Sequence, residues 1–209
     1  TWRFIMAIHY IDDKSPAESS RRSRKVKRGD WLRIARGIYT DDLETPLKNQ
    51  VKANIFKIVH HLFPRSVVSH RSAILYAVED DKFFVTDTKN RRIDLHGVKL
   101  ISLEGPPPIK GCDRPVMGAY TSCQDRALLE NVQIDKGLNK ALGKRWAEDR
   151  LEQECGRHGE ERLNEIRDAC HKISTEFNWN KEFQILDRII GALLGSKKSK
   201  LLSEKAQAR

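Results

Sequence analysis

The chain has 209 residues and a formal charge of +10, with 39 lysines and arginines set against 29 acids. That length accommodates one or two ordinary domains with real cores. There is no apolar run long enough to cross a membrane and no signal-peptide pattern at the start, so a cytoplasmic protein without membrane attachment is expected.

The excess charge is front-loaded. Residues 1–40 hold ten basic and four acidic side chains, 41–143 hold fifteen and thirteen, and 144–209 hold fourteen and twelve. A domain that only needs solubility intersperses its signs, so this asymmetry favours a polyanionic partner near the N-terminus over a merely solvated face.

The opening stretch, WRFIMAIHYI, reads as one strand or a helical turn. Ser19 or Ser20 then caps a short helix that Gly29 and Asp30 close in a turn. After it, Trp31, Leu32, Ile34, Ile38 and Tyr39 read as a strand, a kink at Gly37 and a second edge, the outline of a wing behind a recognition helix. Between Arg21 and Arg36 there are eight basic residues against one acid, Asp30. Such a stretch neutralises several phosphates and releases their counterions, which gives salt-sensitive affinity without sequence choice. The residues assigned to nucleic-acid binding are Ser20, Arg21, Arg22, Arg24, Lys25, Lys27, Arg28, Arg33 and Arg36. In a winged helix-turn-helix, Arg21, Arg22 and Lys25 enter the major groove, and Arg33 or Arg36 takes the flanking backbone or minor groove.

Behind Pro46, Val51, Ile55, Ile58 and Leu62 recur at helical spacing, predicting one helix over 46–62 with a single buried face. His60 and His61 at its end point to different sides and cannot chelate as a pair, so they are read as residues suited to a helix C-terminus. Val67 and Val68 form a short strand, and Ser69 caps the helix that follows; Ser69 and His70 are read as local structure rather than as a nucleophile and its base. Strands are predicted over Phe83–Val85, Arg92–Leu95 and Val98–Leu103 in a small antiparallel sheet, with Asn90 and Gly97 turning the chain. The loop from Gly105 to Gly111, with three prolines, has no regular structure. Ala119–Thr121 adds a strand, and Ser122 with Asp125 reads as a capping box for a helix bearing Leu128 and Leu129.

From Lys144 the pattern is helical alone, three amphipathic helices broken near His158-Gly159 and at Asn178–Asn180. The four cysteines, Cys112, Cys123, Cys155 and Cys170, have no zinc-like spacing and are read as reduced, partly buried thiols. The expected class is α+β: an abbreviated winged helix-turn-helix over 1–44, a small antiparallel-sheet α+β domain over 45–142, a helical bundle over 143–196, and a basic tail or linker over 197–209. That ending makes the chain read as a piece of something longer.

The segment RGDWLRIARGIYT resembles the wing of the AbiEi-type antitoxin and transcriptional-regulator family, and the likeness continues in order through VVSHRSAI, FFVTDTKNRRIDLHGVKL, GPPP, RALLENV and ILDRIIGALLGS. It spans roughly residues 19–196. The resemblance implies a winged domain that binds the operator of its own operon as duplex DNA, followed by a domain with antitoxin function. The half containing RALLENV and GALLG is also similar to the segment found ahead of Fic domains in longer proteins.

Nothing in the sequence supplies a Fic histidine loop, and GALLGSKKS places Ser196 where a phosphate loop needs its second glycine. The chain is therefore read as a DNA-binding repressor, not an enzyme, with no cofactor and no metal. A homodimer is expected for a repressor that reads a repeated site. The alternative is a protein-interaction module, either an antitoxin that neutralises a toxin or the regulatory front of a Fic enzyme. A single-strand or RNA binder is the weakest reading, because the basic segment offers only Trp31 and Tyr39 for stacking.

Overall fold

The computed structural model describes residues 8–11, 16–133 and 137–207. The chain divides into two compact units. One comprises Thr1–Val67, Leu75–Pro107 and Pro115–Tyr120, the other Val68–Ile74, Pro108–Arg114 and Thr121–Arg209. The class is α+β, as the alternating patterns predict.

In the first unit, β1 (Ile8–Tyr10), β2 (Leu32–Ala35) and β3 (Ile38–Thr40) form an antiparallel sheet in the order β1-β3-β2, and α1 (Pro16–Arg28) lies between β1 and β2 in sequence. The predicted hairpin is therefore present, with its register shifting between Arg33 and Ala35. Gly37 is required where it stands. Its φ is +74°, and a Cβ there would lie 2.9 Å from both the Ile11 carbonyl oxygen and His61 Nε2.

The basic segment is not a separate module ending at residue 44. The Thr40 hydroxyl donates to Gln50 Oε1 at 2.6 Å, and Gln50 Nε2 donates to the Asp42 and Thr45 carbonyls. His96 Nε2 donates to the Arg33 carbonyl at 3.0 Å. These bonds hold the hairpin to the rest of its unit.

The single helix predicted over 46–62 is two, α2 (Leu47–Ala53) and α3 (Ile55–Leu62). Asn54 separates them, and its side-chain amide donates to the Gln50 carbonyl. A short polar side chain that bonds the backbone locally competes with the helical ladder. Pro46 sits at the N-cap of α2 rather than inside the helix.

A six-stranded sheet follows, in the order β6-β7-β5-β4-β9-β8, from β4 (Val67–Val68), β5 (Lys82–Asp87), β6 (Arg91–Leu95), β7 (Val98–Glu104), β8 (Arg114–Val116) and β9 (Ala119–Thr121). Strands β6 and β7 pair antiparallel across a two-residue turn, His96-Gly97, in which both residues have positive φ, as tight hairpins need. Strand β5 pairs parallel with β7, so this sheet is mixed where an antiparallel one was expected. The cause is that β7 inserts between β5 and β6, leaving β6 at the edge. Phe83, Phe84, Val85 and Thr86 in β5 are all buried, the mark of a strand covered on both faces.

The second unit contains α4 (His70–Leu75, its last residue outside the unit), α5 (Gln124–Asn131), α6 (Lys144–His158), α7 (Glu160–Phe177) and α8 (Asn180–Gln207). Its core is built by Leu128 and Leu129 of α5, Leu151 of α6, Leu163 and Ile166 of α7, and Leu186 and Ile190 of α8. The predicted breaks are in place: Gly159 at φ +84° separates α6 from α7, and Asn178 at φ +60° ends α7 in the left-handed conformation. Helix α8 continues through the segment read as a tail as far as Gln207. Among the described residues no helix is long and apolar enough to cross a membrane.

Candidate nucleic-acid interface

Helix α1 begins at Pro16, earlier than Ser19 or Ser20, so those serines lie inside the helix and do not cap it. Proline suits a first helical position, where its missing N–H costs no bond. The helix ends as predicted. Gly29 has φ +80°, its N–H donates to the Val26 carbonyl, and the Asp30 N–H reaches back to the Lys25 carbonyl. Glu18 stands in the first turn and Lys25, Lys27 and Arg28 in the last, which matches the helix dipole.

The basic residues of α1 divide between two faces. Arg24, Lys27 and Arg28 are exposed together with Ser20, at the three- and four-residue steps that share a face. Arg22 and Lys25 are half-buried and turned towards the sheet. The Lys25 ammonium lies over the Trp31 ring, 4.1 Å from its centroid, and the Arg22 guanidinium lies over Tyr39 at 5.5 Å while donating to the Ser19 hydroxyl. Arg21 is exposed at the margin between the faces. Of the hairpin cations, Arg33 and Arg36 are both exposed, and Arg33 Nε makes a long contact of 3.4 Å to the Ala35 carbonyl.

The described part of residues 1–44 thus holds one helix, a three-stranded sheet and all nine residues assigned from sequence. A second helix, which a helix-turn-helix requires, is not found among the described residues of 1–44. The two aromatic side chains are already engaged. Trp31 stacks on His9 with centroids 4.5 Å apart, His9 Nε2 donates to Asp41 at 2.8 Å, and Tyr39 is buried.

One feature of this region was not seen in the sequence. A concavity of about 490 Å³ opens between α1 and β1, lined by Tyr10, Ile11, Glu18, Arg21, Arg22, Lys25 and Trp31. The spacing of Glu18, Arg21, Arg22 and Lys25, at steps of three, one and three residues, was the available signal for a shared helix face.

In the second unit the structure corrects two local readings. Cys112 and Cys123 are joined as a disulfide, with Cα atoms 5.4 Å apart, while Cys155 and Cys170 are free and buried. The expectation of four reduced thiols therefore holds for two. Asp113 lies beside that pair, and the three side chains bring their ligand atoms within 4.8 Å of one another. Both Asp113 oxygens are already bonded, however, to the Ile109 and Cys123 N–H groups and to Arg126. The cluster therefore serves a buried ion network better than a metal.

That network is centred on Arg126, which has no exposed surface and pairs with Asp113 at 2.7 Å and Glu130 at 2.8 Å. Ser122 does not form a capping box. Its hydroxyl donates to Glu130, and Asp125 Oδ1 is buried with no hydrogen-bond partner among the described residues. Glu130 takes the His70 N–H, and the Ser69 hydroxyl bonds His70 Nδ1. Burial alone would raise the Glu130 carboxyl, but Arg126 and His70 hold it below the usual range.

Comparison of the chain with models of protein families, with curated proteins and with solved structures finds no match to any of them. The likeness to the AbiEi-type family therefore rests on the quoted segments alone.

Proposed function

We propose that this protein binds duplex DNA through α1 and the β2–β3 hairpin, and that it acts as a transcriptional repressor of AbiEi antitoxin type on its own operon. The observation that carries the reading is the division of charge on α1. Arg22 and Lys25 pack the helix against the aromatic side chains of the hairpin region, which leaves Arg24, Lys27 and Arg28 exposed on a helix braced from behind.

A braced helix with a free cationic face suits a duplex backbone, where fixed register matters and each neutralised phosphate releases a counterion. A single-strand platform needs open aromatic faces. Here Trp31 is covered by His9 and Lys25, and Tyr39 is buried. The hairpin arginines, Arg33 and Arg36, supply further backbone contacts in the manner of a wing.

The test is a fluorescence-anisotropy titration of the full chain against labelled duplex from upstream of its own gene and against scrambled duplex of equal length, over a range of salt. The repressor reading expects tighter binding to the upstream sequence and a steep salt dependence. Equal affinity for both duplexes removes the repressor function and leaves a backbone binder; no binding at low salt removes the DNA reading as a whole.

A further inference from the structure

The concavity between α1 and β1 has a chemistry that a duplex backbone does not use. Its volume, about 490 Å³, lies within the range of small-molecule sites. Arg21, Arg22 and Lys25 bring three cations to one side of it, more than a singly charged ligand needs. Trp31 and Ile11 give it an apolar wall, and Glu18 places a carboxylate among the cations. The Tyr10 ring completes the lining, while its hydroxyl is itself buried.

We propose that this concavity binds a nucleoside phosphate, with the phosphate between Arg21, Arg22 and Lys25, the sugar hydroxyls on Glu18 and the base against Trp31. Each lining group then has a matching part of the ligand. A site for an inorganic anion has no use for the carboxylate or the indole. A site for an apolar molecule has no use for the three cations. Carboxylates accept hydrogen bonds from ribose hydroxyls in other nucleotide sites.

Lys25 supplies the coupling between the two ends of the site. Its ammonium rests over the Trp31 ring. A phosphate is the stronger partner for an ammonium in a partly desolvated site, so the ligand draws Lys25 off the ring and uncovers a face for the base. The inference goes beyond the duplex reading and does not depend on it, because the concavity and the exposed face of Arg24, Lys27 and Arg28 are different surfaces of α1.

The experiment is a titration of the full chain with adenosine monophosphate, adenosine and inorganic phosphate, read by tryptophan fluorescence and referred to the Trp31→Phe variant to isolate Trp31. The expected result is saturable quenching by the monophosphate, with adenosine and inorganic phosphate each at least about tenfold weaker. Lys25→Gln is expected to weaken the monophosphate by a similar factor. If thermal unfolding shows that Lys25→Gln has lost its fold, Arg21→Gln replaces it, since Arg21 is an exposed cation of the lining and its loss is expected to weaken binding severalfold. A second arm competes the monophosphate with duplexes that carry or lack one unpaired nucleotide. Displacement only by the unpaired form identifies a nucleotide of a bound strand as the occupant, and no displacement identifies the free nucleotide; both support the site. Absence of quenching at millimolar monophosphate, equal affinity for adenosine, or unchanged affinity in the folded variant overturns it. Duplex affinity is measured separately on Arg24→Ala, so failure of the DNA reading is distinguishable from failure of this one.

Discussion

The Lys25 ammonium sits 4.1 Å from the centroid of the Trp31 ring and braces α1 against the hairpin region. The first prediction follows from that geometry. Replacing Arg24, Lys27 and Arg28 together by alanine reduces the slope of log affinity against log salt by about 2 to 3 and leaves unfolding nearly unchanged. Replacing Arg22 and Lys25 instead removes two ring contacts and costs about 1–2 kcal/mol of stability. Parallel urea unfolding and salt-dependent anisotropy on both variants check this. An equal loss of DNA affinity in the two variants, with stability untouched in both, contradicts the division of the helix into two faces.

Gly37 offers a sharper test of how the hairpin is seated. Alanine there meets a backbone carbonyl and an imidazole at 2.9 Å and must hold a left-handed φ. Gly37→Ala is expected to cost about 1–3 kcal/mol, read as a lowered urea midpoint with unchanged slope. Gly29→Ala shares the positive φ but meets nothing within 4 Å, so it isolates the backbone cost from the clash. Equal loss in the two variants means that the close approach to Ile11 and His61 contributes nothing.

Much of this architecture was legible in local signals. The stop at Gly29, the kink at Gly37, the turn at Gly97 and the break at Gly159 all fall where a positive φ is needed, and glycine announces such positions. The charge of α1 was legible too, but its direction was not. A helix with six basic residues among its last eight carries no apolar stripe to say which side packs, and here the aromatic side chains of Trp31 and Tyr39 decide it. The parallel pairing of β5 was missed because consecutive strands were assumed to be neighbours. The run Phe83-Phe84-Val85 carried the opposing signal, since an unbroken apolar strand belongs at the centre of a sheet. The disulfide and the Arg126 network had no signal at all, because both join residues through tertiary contacts that spacing does not encode.

Arg126 is wholly buried between Asp113 and Glu130, and these two carboxylates also hold the backbone at Ile109, Cys123 and His70. Arg126→Met leaves two buried acids without their cation, and the cost expected is about 3–5 kcal/mol. Thermal unfolding followed by circular dichroism checks it. A loss below about 1 kcal/mol means that the acids find other partners or take up protons at little cost.

His70 gives the protein an acid-sensitive point. Its ring is buried and held down to about 4 from an ordinary 6.5, chiefly by burial and against the pull of Glu130. A histidine that stays neutral when folded contributes stability that is fully present above its unfolded value and is lost as pH falls towards its folded one. Stability should therefore decline as pH drops from about 6.5 towards about 4, by a total of about 3 kcal/mol at 1.36 kcal/mol per unit. Urea unfolding at steps between neutrality and pH 5, above the range where carboxylates titrate, isolates this contribution. The comparison is His70→Asn, because asparagine tolerates the φ of +53° at this position and does not titrate. The variant is expected to show a flatter profile over that interval, although it is less stable at neutrality. A slope as steep as that of the parent chain assigns the acid sensitivity to other groups.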